Sequence, residues 1–363
     1  TSPRLEPAMT SLLDKSTAAA SPKSPGHGAA FTPHLYSLRY TPELGWHDGD
    51  LLPMENLSLH PATLGLHYGQ VIFEGMKAFR QQDGSVAVFR PWENARRFNR
   101  SAARLAMPEL PEHLYVDGVD RLVAADHGEL SDHPDHSLYL RPLMFGTDAN
   151  LMLRPSEEYL FLVMAFVAGG FFGDVVRPVS VLVSRDQARA MPGGTGDVKC
   201  AANYGPSFVA QRRAQEAGCQ QVVWLDQAER RWVEEMGGMN LFFVRGSGPG
   251  AEVFTTPLTG TLLPGVTRDS LMRMAARLGY RVAEQPVSVD QWRAGCEAGE
   301  ITEVFACGTA AVVTPVGQVR DVDGDFTVGD GEMGPVTGTL RRALVDLQHG
   351  RVPDVDGWLH RVC

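Results

Sequence analysis

The sequence predicts an α+β protein with two domains. Three observations predict it. The chain has 363 residues, enough for two ordinary hydrophobic cores. Apolar residues make up 44% and charged residues 21%, the balance of a globular chain. Strand-like and helix-like segments mix without strict strand–helix–strand alternation, which argues against a doubly wound sheet.

Residues 1–30 are rich in Ser, Pro, Ala and Gly and are expected to fray. Residues 36–60 read as short strands and turns. The apolar, glycine-interrupted run from Leu66 to Phe79 leads into a strand, and Asp83-Gly84 signals a hairpin. Pro91 opens a helix with Ala95, Phe98, Ala102 and Leu105 on one stripe. A second helix is expected over 114–125, then strands over 137–145 and 159–167. The Gly-rich stretch within 168–178 reads as a linker between a domain at 31–167 and one at 179–363. Beyond it, helices are expected over 207–217, 267–278, 289–298 and 338–348, with strands between them. Thr267 reads as the N-cap of its helix and Gly279 as its stop.

Composition excludes several classes. A formal net charge of −10 argues against nucleic acid or an anionic membrane as the main partner. The five cysteines form no CxxC pair, so neither a disulfide framework nor a zinc site is expected, and a reducing cytoplasm is the simplest compartment. The longest apolar run, 159–173, is shorter than the roughly 20 residues of a membrane span.

The chemistry starts at Gly193–Pro206. Lys199 lies among Val198, Cys200, Ala201 and Ala202, with Tyr204 five positions on. Packing among small apolar residues is expected to desolvate the amine and make it a nucleophile; a plain loop lysine is the competing reading. Glu235 ends a strand before a glycine turn, with Glu234 on the opposite face, so at most one of the two is expected to face the core. Gly265, Val266 and Thr267 open a helix, a place where free amides bind anions. Gly308-Thr309-Ala310 is a tight turn between apolar strands. Arg97 sits in an arginine-rich helix, and Tyr139 and Arg141 share one strand face, which suits a carboxylate. Each signal alone has a bland reading. Together they are the groups that pyridoxal phosphate needs: an amine, a carboxylate for the pyridine nitrogen, and donors for the phosphate.

The chain resembles the branched-chain amino acid aminotransferases of the fold type IV (D-amino-acid-aminotransferase-like) group, from about Leu57 to Trp358. LHYGQVIFEGMKAFR, LYLRPLMFG, VKCAANYGPS, VEEMGGMNLFFV, LLPGVTRDSL and VFACGTAAVVTPV carry the likeness, in that order. The resemblance implies two α/β domains and a homodimer whose sites borrow residues across the interface. It implies Lys199 as the Schiff-base lysine and the proton shuttle between Cα and C4′. It implies Tyr204 at the cofactor's phenolic oxygen and Glu235 at the pyridine nitrogen. Arg97, Thr309 and the amides of Val266 and Thr267 would hold the phosphate, and the Thr309 and Ala310 amides the substrate carboxylate. Phe73, Tyr139 and Tyr68 of the partner subunit would shape the side-chain pocket, with Arg141 for the second carboxylate of glutamate. The implied reaction exchanges an amino group between leucine, isoleucine or valine and 2-oxoglutarate. A D-amino acid aminotransferase, an aminodeoxychorismate lyase and a non-catalytic binding protein are the rival readings. Four positions depart from the family pattern. Ala311 and Thr314 stand where some members have a CxxC pair, Gly238 where some have threonine, and Phe171 where some have tyrosine.

Overall fold

The computed structural model describes residues 28–130, 133, 136–169 and 176–363. Residues 1–27, Phe171 and most of the expected linker lie outside the described residues. The first half runs β1 (His34–Thr41), β2 (Gly45–Pro53), α1 (Leu64–Tyr68), β3 (Val71–Phe73), β4 (Met76–Arg80), β5 (Val86–Phe89), α2 (Pro91–Arg104), α3 (Glu112–Asp126), β6 (Ser137–Gly146) and β7 (Tyr159–Ala168). The second half begins with β8 (Val179–Ser184), α4 (Phe208–Glu216), β9 (Gln221–Leu225), β10 (Val233–Met236), β11 (Met239–Arg245), β12 (Glu252–Thr255) and α5 (Val266–Arg277). It continues with β13 (Arg281–Glu284), α6 (Val289–Glu297), β14 (Ile301–Gly308), β15 (Val312–Arg320), β16 (Phe326–Thr327), α7 (Pro335–Gln348) and β17 (Leu359–Arg361). The protein is α+β, as its patterning predicts.

Two sheets carry the fold. In the first, the order is β17-β5-β4-β6-β7-β1-β2, with β3 also on β6. Its contacts are antiparallel, and β6 and β7 pair over ten residues from Ser137↔Ala168 to Gly146↔Tyr159. In the second, the order is β10-β9-β8-β15-β14-β11-β12-β13, and β10 also pairs β11, which closes part of the sheet on itself. Closure removes the exposed edges of the strands involved. The last strand, β17, adds to β5 of the first sheet although it follows the whole second half.

Helices α2 and α3 cover one face of the first sheet. Phe98, Tyr115 and Phe161 meet there, with ring centroids 5.3–5.7 Å apart. In the second half Phe243 packs on Phe254 and Trp292, and Trp292 on Phe326. A third cluster joins the halves: Phe79 and Phe89 pack with Phe242, Phe305, Leu340 and Trp358. The halves therefore share a core, and the surfaces lining the cleft between them are held in register. No helix among the described residues is long and apolar enough to cross a membrane.

Local chemistry corrects some expectations. Leu64–Tyr68 is a helix and not the approach to a strand; Gly69 ends it in the left-handed region (φ 65°), with its N–H on Gly65 O. The N-cap of α5 is Gly265, and Thr267 lies inside the first turn with no side-chain cap. The start of α7 is capped from a distance. Glu303, buried on β14, accepts from Val336 N (3.0 Å), Thr337 N (2.7 Å) and Thr337 Oγ1 (2.7 Å). A carboxylate on the positive end of a helix is a strong acceptor. Glu303→Ala leaves three buried donors unpaired and is expected to cost about 2–4 kcal/mol in urea denaturation. A loss under about 0.5 kcal/mol would show that water replaces the cap.

Candidate active site

A cavity of about 230 Å³ opens where the halves meet. From the first half it is lined by Phe73, Gly75, Arg97, Tyr139 and Arg141. From the second it takes Lys199, Tyr204, Gly238, Asn240, the start of α5 with Val266 and Thr267, and the turn Gly308–Ala311. Ten of the predicted site residues thus gather around one space: Phe73, Arg97, Tyr139, Arg141, Lys199, Tyr204, Val266, Thr267, Thr309 and Ala310.

The chain has four lysines: Lys15, Lys23, Lys77 and Lys199. The first two lie outside the described residues. Lys199 is partly buried and lines the cavity. Its Nζ lies 3.2 Å from the Tyr204 hydroxyl and over the ring of Phe73. The backbone of Lys199 is fixed at both ends by the first half. Its N–H donates to Ser101 Oγ (2.9 Å), and its carbonyl accepts from Phe73 N (3.1 Å). Asn203 clamps the preceding turn through the carbonyls of Thr195 (2.7 Å) and Val198 (2.9 Å).

The anion end is built from α5 and Arg97. The first amides of a helix have no intrahelical acceptor and lie at the positive end of its dipole. Arg97 is buried and not solvated. It grips Glu74 with two prongs, Nε to Oε1 and Nη2 to Oε2, both 2.7 Å, while Nη1 donates to Pro264 O (3.1 Å). Burial works against the Glu74 charge, yet Arg97, with Lys199 and Asn94, holds its carboxyl below the usual range. Thr309 gives its hydroxyl proton to Gly75 O (3.0 Å), which leaves its lone pairs and not its proton for a ligand. Gly75 leaves room for Tyr139: a Cβ there would overlap the Tyr139 hydroxyl. Beside this turn lies Lys77, buried, with Nζ on Ala310 O at 3.2 Å; burial, and then Arg341, push its pKa down to about 8.

Glu235 does not line the cavity. It sits directly behind the wall, buried, where Oε1 accepts from Leu263 N (2.7 Å) and from Asn240 Nδ2 (3.4 Å). Glu234 is buried too, against the expectation that at most one of the pair would be. The loop carrying Thr256 and Thr261 covers its face, and Thr261 Oγ1 donates to its carboxylate. Arg189 balances this pair. Its Nε lies 3.2 Å from Glu235 Oε2, and Nη2 reaches the carbonyls of Thr261 and Gly196. Burial pushes the Glu235 carboxyl up, and Arg189 opposes that shift.

Tyr68 lies away from this cavity. It is half-exposed, and its hydroxyl donates to Leu151 O (2.8 Å). Arg141 stacks on Phe73, 4.8 Å from its centroid, and its Nε has no partner among the described residues. Cys307 lines the cavity, but burial raises its thiol pKa and keeps it neutral. Glu74, Arg189 and Ser101 carry no signal of their own in the sequence. Their partners are distant along the chain, and only the fold brings them together.

Arg189 generates a pH prediction. A carboxyl whose pKa is raised on folding holds more protons in the folded state, so stability falls as pH rises from its unfolded value to its folded one. In Arg189→Met the Glu234–Glu235 pair loses its counter-charge and its pKa values rise further. The variant is expected to lose about 3–5 kcal/mol at pH 8 and clearly less at pH 5.5, where a proton replaces the cation. Denaturation curves at the two pH values check this; an equal loss at both contradicts it.

Comparison with known proteins places the chain. The amino-transferase class IV family model matches residues 71–319. A protein of Streptomyces coelicolor named "Probable branched-chain-amino-acid aminotransferase" is 51% identical over 357 residues, covering 98% of this chain and 97% of that one. The Escherichia coli branched-chain amino acid aminotransferase superposes with a TM-score of 0.75 at 28% identity, over 92% of this chain and all of that one. The T.th. branched-chain amino acid aminotransferase, complexed with N-(5'-phosphopyridoxyl)-L-glutamate, superposes with a TM-score of 0.74 at 28% identity, over 92% of this chain and 99% of that one. The chain belongs to the class IV amino-transferases and, among them, to the branched-chain aminotransferase family.

Proposed function

We propose that the protein binds pyridoxal 5'-phosphate and transfers the amino group of L-leucine, L-isoleucine or L-valine to 2-oxoglutarate, reversibly. One observation carries the reading: the Lys199 amine projects into a cavity with a helix N-terminus and Arg97 at one end and a buried carboxylate, Glu235, behind its wall. The donor set fits the cofactor. The α5 amides of Val266 and Thr267, with Arg97, would hold the phosphate. Glu235 would stabilise a protonated ring nitrogen, and Tyr204 would donate to the phenolic oxygen. When bound, pyridoxal phosphate supplies an aldehyde that accepts the amino group and a ring that withdraws electrons.

The chain's own residues do the rest. Lys199 Nζ is the base at the substrate Cα: it takes the Cα proton and holds it. Tyr204, at 3.2 Å, orients that amine. Amides of the Thr309–Ala310 turn would receive the substrate carboxylate, and Lys77 and Gly75 brace the turn from behind. The side-chain pocket meets two demands. Phe73 and Tyr139 give an apolar wall for a branched side chain, and Arg141, with an unused Nε, offers a charge to the second carboxylate of glutamate. The phosphopyridoxyl-glutamate bound by the T.th. relative supports both cofactor and acceptor.

A homodimer belongs to the proposal. Leu66, Tyr68, Leu151, Met152 and Leu153 are exposed, Leu153 at 90%, on two segments joined by the Tyr68–Leu151 hydrogen bond. An exposed apolar patch of this kind suits an interface, from which Tyr68 of the partner subunit would reach the pocket. Sedimentation is expected to find a dimer for the parent protein and a monomer for Leu153→Asp. A monomeric parent would reject the shared site.

Two measurements test the reaction. The purified protein is expected to show a visible absorption band that L-leucine bleaches and 2-oxoglutarate restores. Turnover with D-alanine or aminodeoxychorismate but not L-leucine would move the protein to another activity on the same fold. Lys199→Ala is expected to bind cofactor and lose turnover by at least about a thousandfold. Glu235→Ala should fold and turn over slowly. Normal turnover in Lys199→Ala would remove the lysine from its role.

A further inference from the structure

Helix α2 places Arg97, Ser101 and Arg104 on one stripe, at i, i+4 and i+7. Each of the three reaches the second half. Arg97 Nη1 donates to Pro264 O. Ser101 Oγ accepts the Lys199 N–H at 2.9 Å. Arg104 donates to the carbonyls of Gly193 (3.0 Å) and Gly194 (3.2 Å), at the head of the lysine segment. The Ser101 side chain is fully buried and gives its own proton to Arg97 O (3.1 Å), which turns its lone pairs toward Lys199. On the far side the Lys199 carbonyl is held by Phe73 N.

We propose that Ser101 is a positioning residue for Lys199: its hydroxyl, fixed on the helix that carries Arg97, sets where the amine enters the cavity. The geometry explains why a side-chain hydroxyl is needed. Lys199 has a long, rotatable side chain, so its Nζ is only as well placed as the peptide from which it springs. That peptide lies in an irregular loop whose tie to β3 is one isolated bridge, Ile72↔Cys200, with no ladder beyond it. Ser101 supplies the missing acceptor and ties the loop to the same helix turn that fixes the anion end. A loosened amine matters greatly, because misplacement by about 1 Å can cost about a hundredfold in rate.

The proposal rests on the role given to Lys199 above, so its test has one arm outside catalysis. In Ser101→Ala the helix gains a better helix former, and a purely structural hydroxyl would leave the chemistry of Lys199 unmoved. The holoenzyme variant is expected to lose about tenfold or more in kcat with KM for L-leucine little changed, and to shift the pH midpoint of its visible absorption. Ser101→Thr, which keeps the hydroxyl, should recover most of the rate. Wild-type kcat and midpoint in Ser101→Ala overturn the proposal. Should that variant not fold, Ser101→Cys decides, since a thiol fills the space but accepts poorly; wild-type kcat there overturns it equally. The independent arm is amide hydrogen exchange in the cofactor-free protein. Exchange at the Lys199 amide is expected to quicken about tenfold in Ser101→Ala, and unchanged exchange overturns the proposal. An inactive, colourless parent protein would instead reject the aminotransferase reading and leave the exchange arm to judge Ser101.

Discussion

The Lys199 peptide is held from the opposite half of the molecule, and the site depends on that constraint. Ser101 takes its N–H and Phe73 meets its carbonyl, both from the first half, while the residue itself lies in the second. Neither half alone can orient the amine. The shared core of Phe79, Phe89, Phe242, Phe305 and Trp358 makes this possible, because it locks the two sheets together near the cleft. The return of β17 to the first sheet adds a backbone seam between the halves.

Around this anchor the charges are ordered and nearly all paired. Burying a charge is costly unless it has a partner. Arg97 has Glu74, and Arg189 serves Glu235 while also lowering the cost of Glu234. The result is the start of α5 beside the Arg97–Glu74 pair at one end, an amine in the middle, and a carboxyl behind the far wall. Lys77 follows the same rule: it carries an amine into the core and sets it on the carbonyl of Ala310, beneath the turn that would receive a carboxylate. Arg141 makes no ion pair among the described residues. It stacks on the Phe73 ring, and its Nη2 lies 3.5 Å from the Tyr139 hydroxyl.

Much of this was legible in the chain. Alternating and 3.6-residue patterns locate the long strands and α2, α3, α5 and α7. Small residues around Lys199, the glycine before α5 and the Gly308–Ala310 turn mark the cavity, and the family resemblance joins them into one site. Other features were not legible, for physical reasons. Ser101 looks like a helix serine until Lys199, 98 residues on, lies against it. Arg97 stands out among four arginines by the resemblance, but its two-pronged hold on Glu74, 23 residues earlier, cannot be read from the chain. The burial of both Glu234 and Glu235 depends on a loop that covers an outward strand face. Strand β17 is three residues long and depends on its partner for its form.

One amine in this fold, that of Lys199, is proposed to carry the cofactor. The described residues offer two buried or half-buried lysines near the site, Lys199 in the cavity and Lys77 behind its turn. Borohydride reduction of the protein loaded with pyridoxal phosphate, followed by peptide mapping, separates them. A phosphopyridoxyl label is expected on the peptide containing Lys199, and no label when Lys199 is replaced by alanine. A label on Lys77, or none on either lysine, would contradict it.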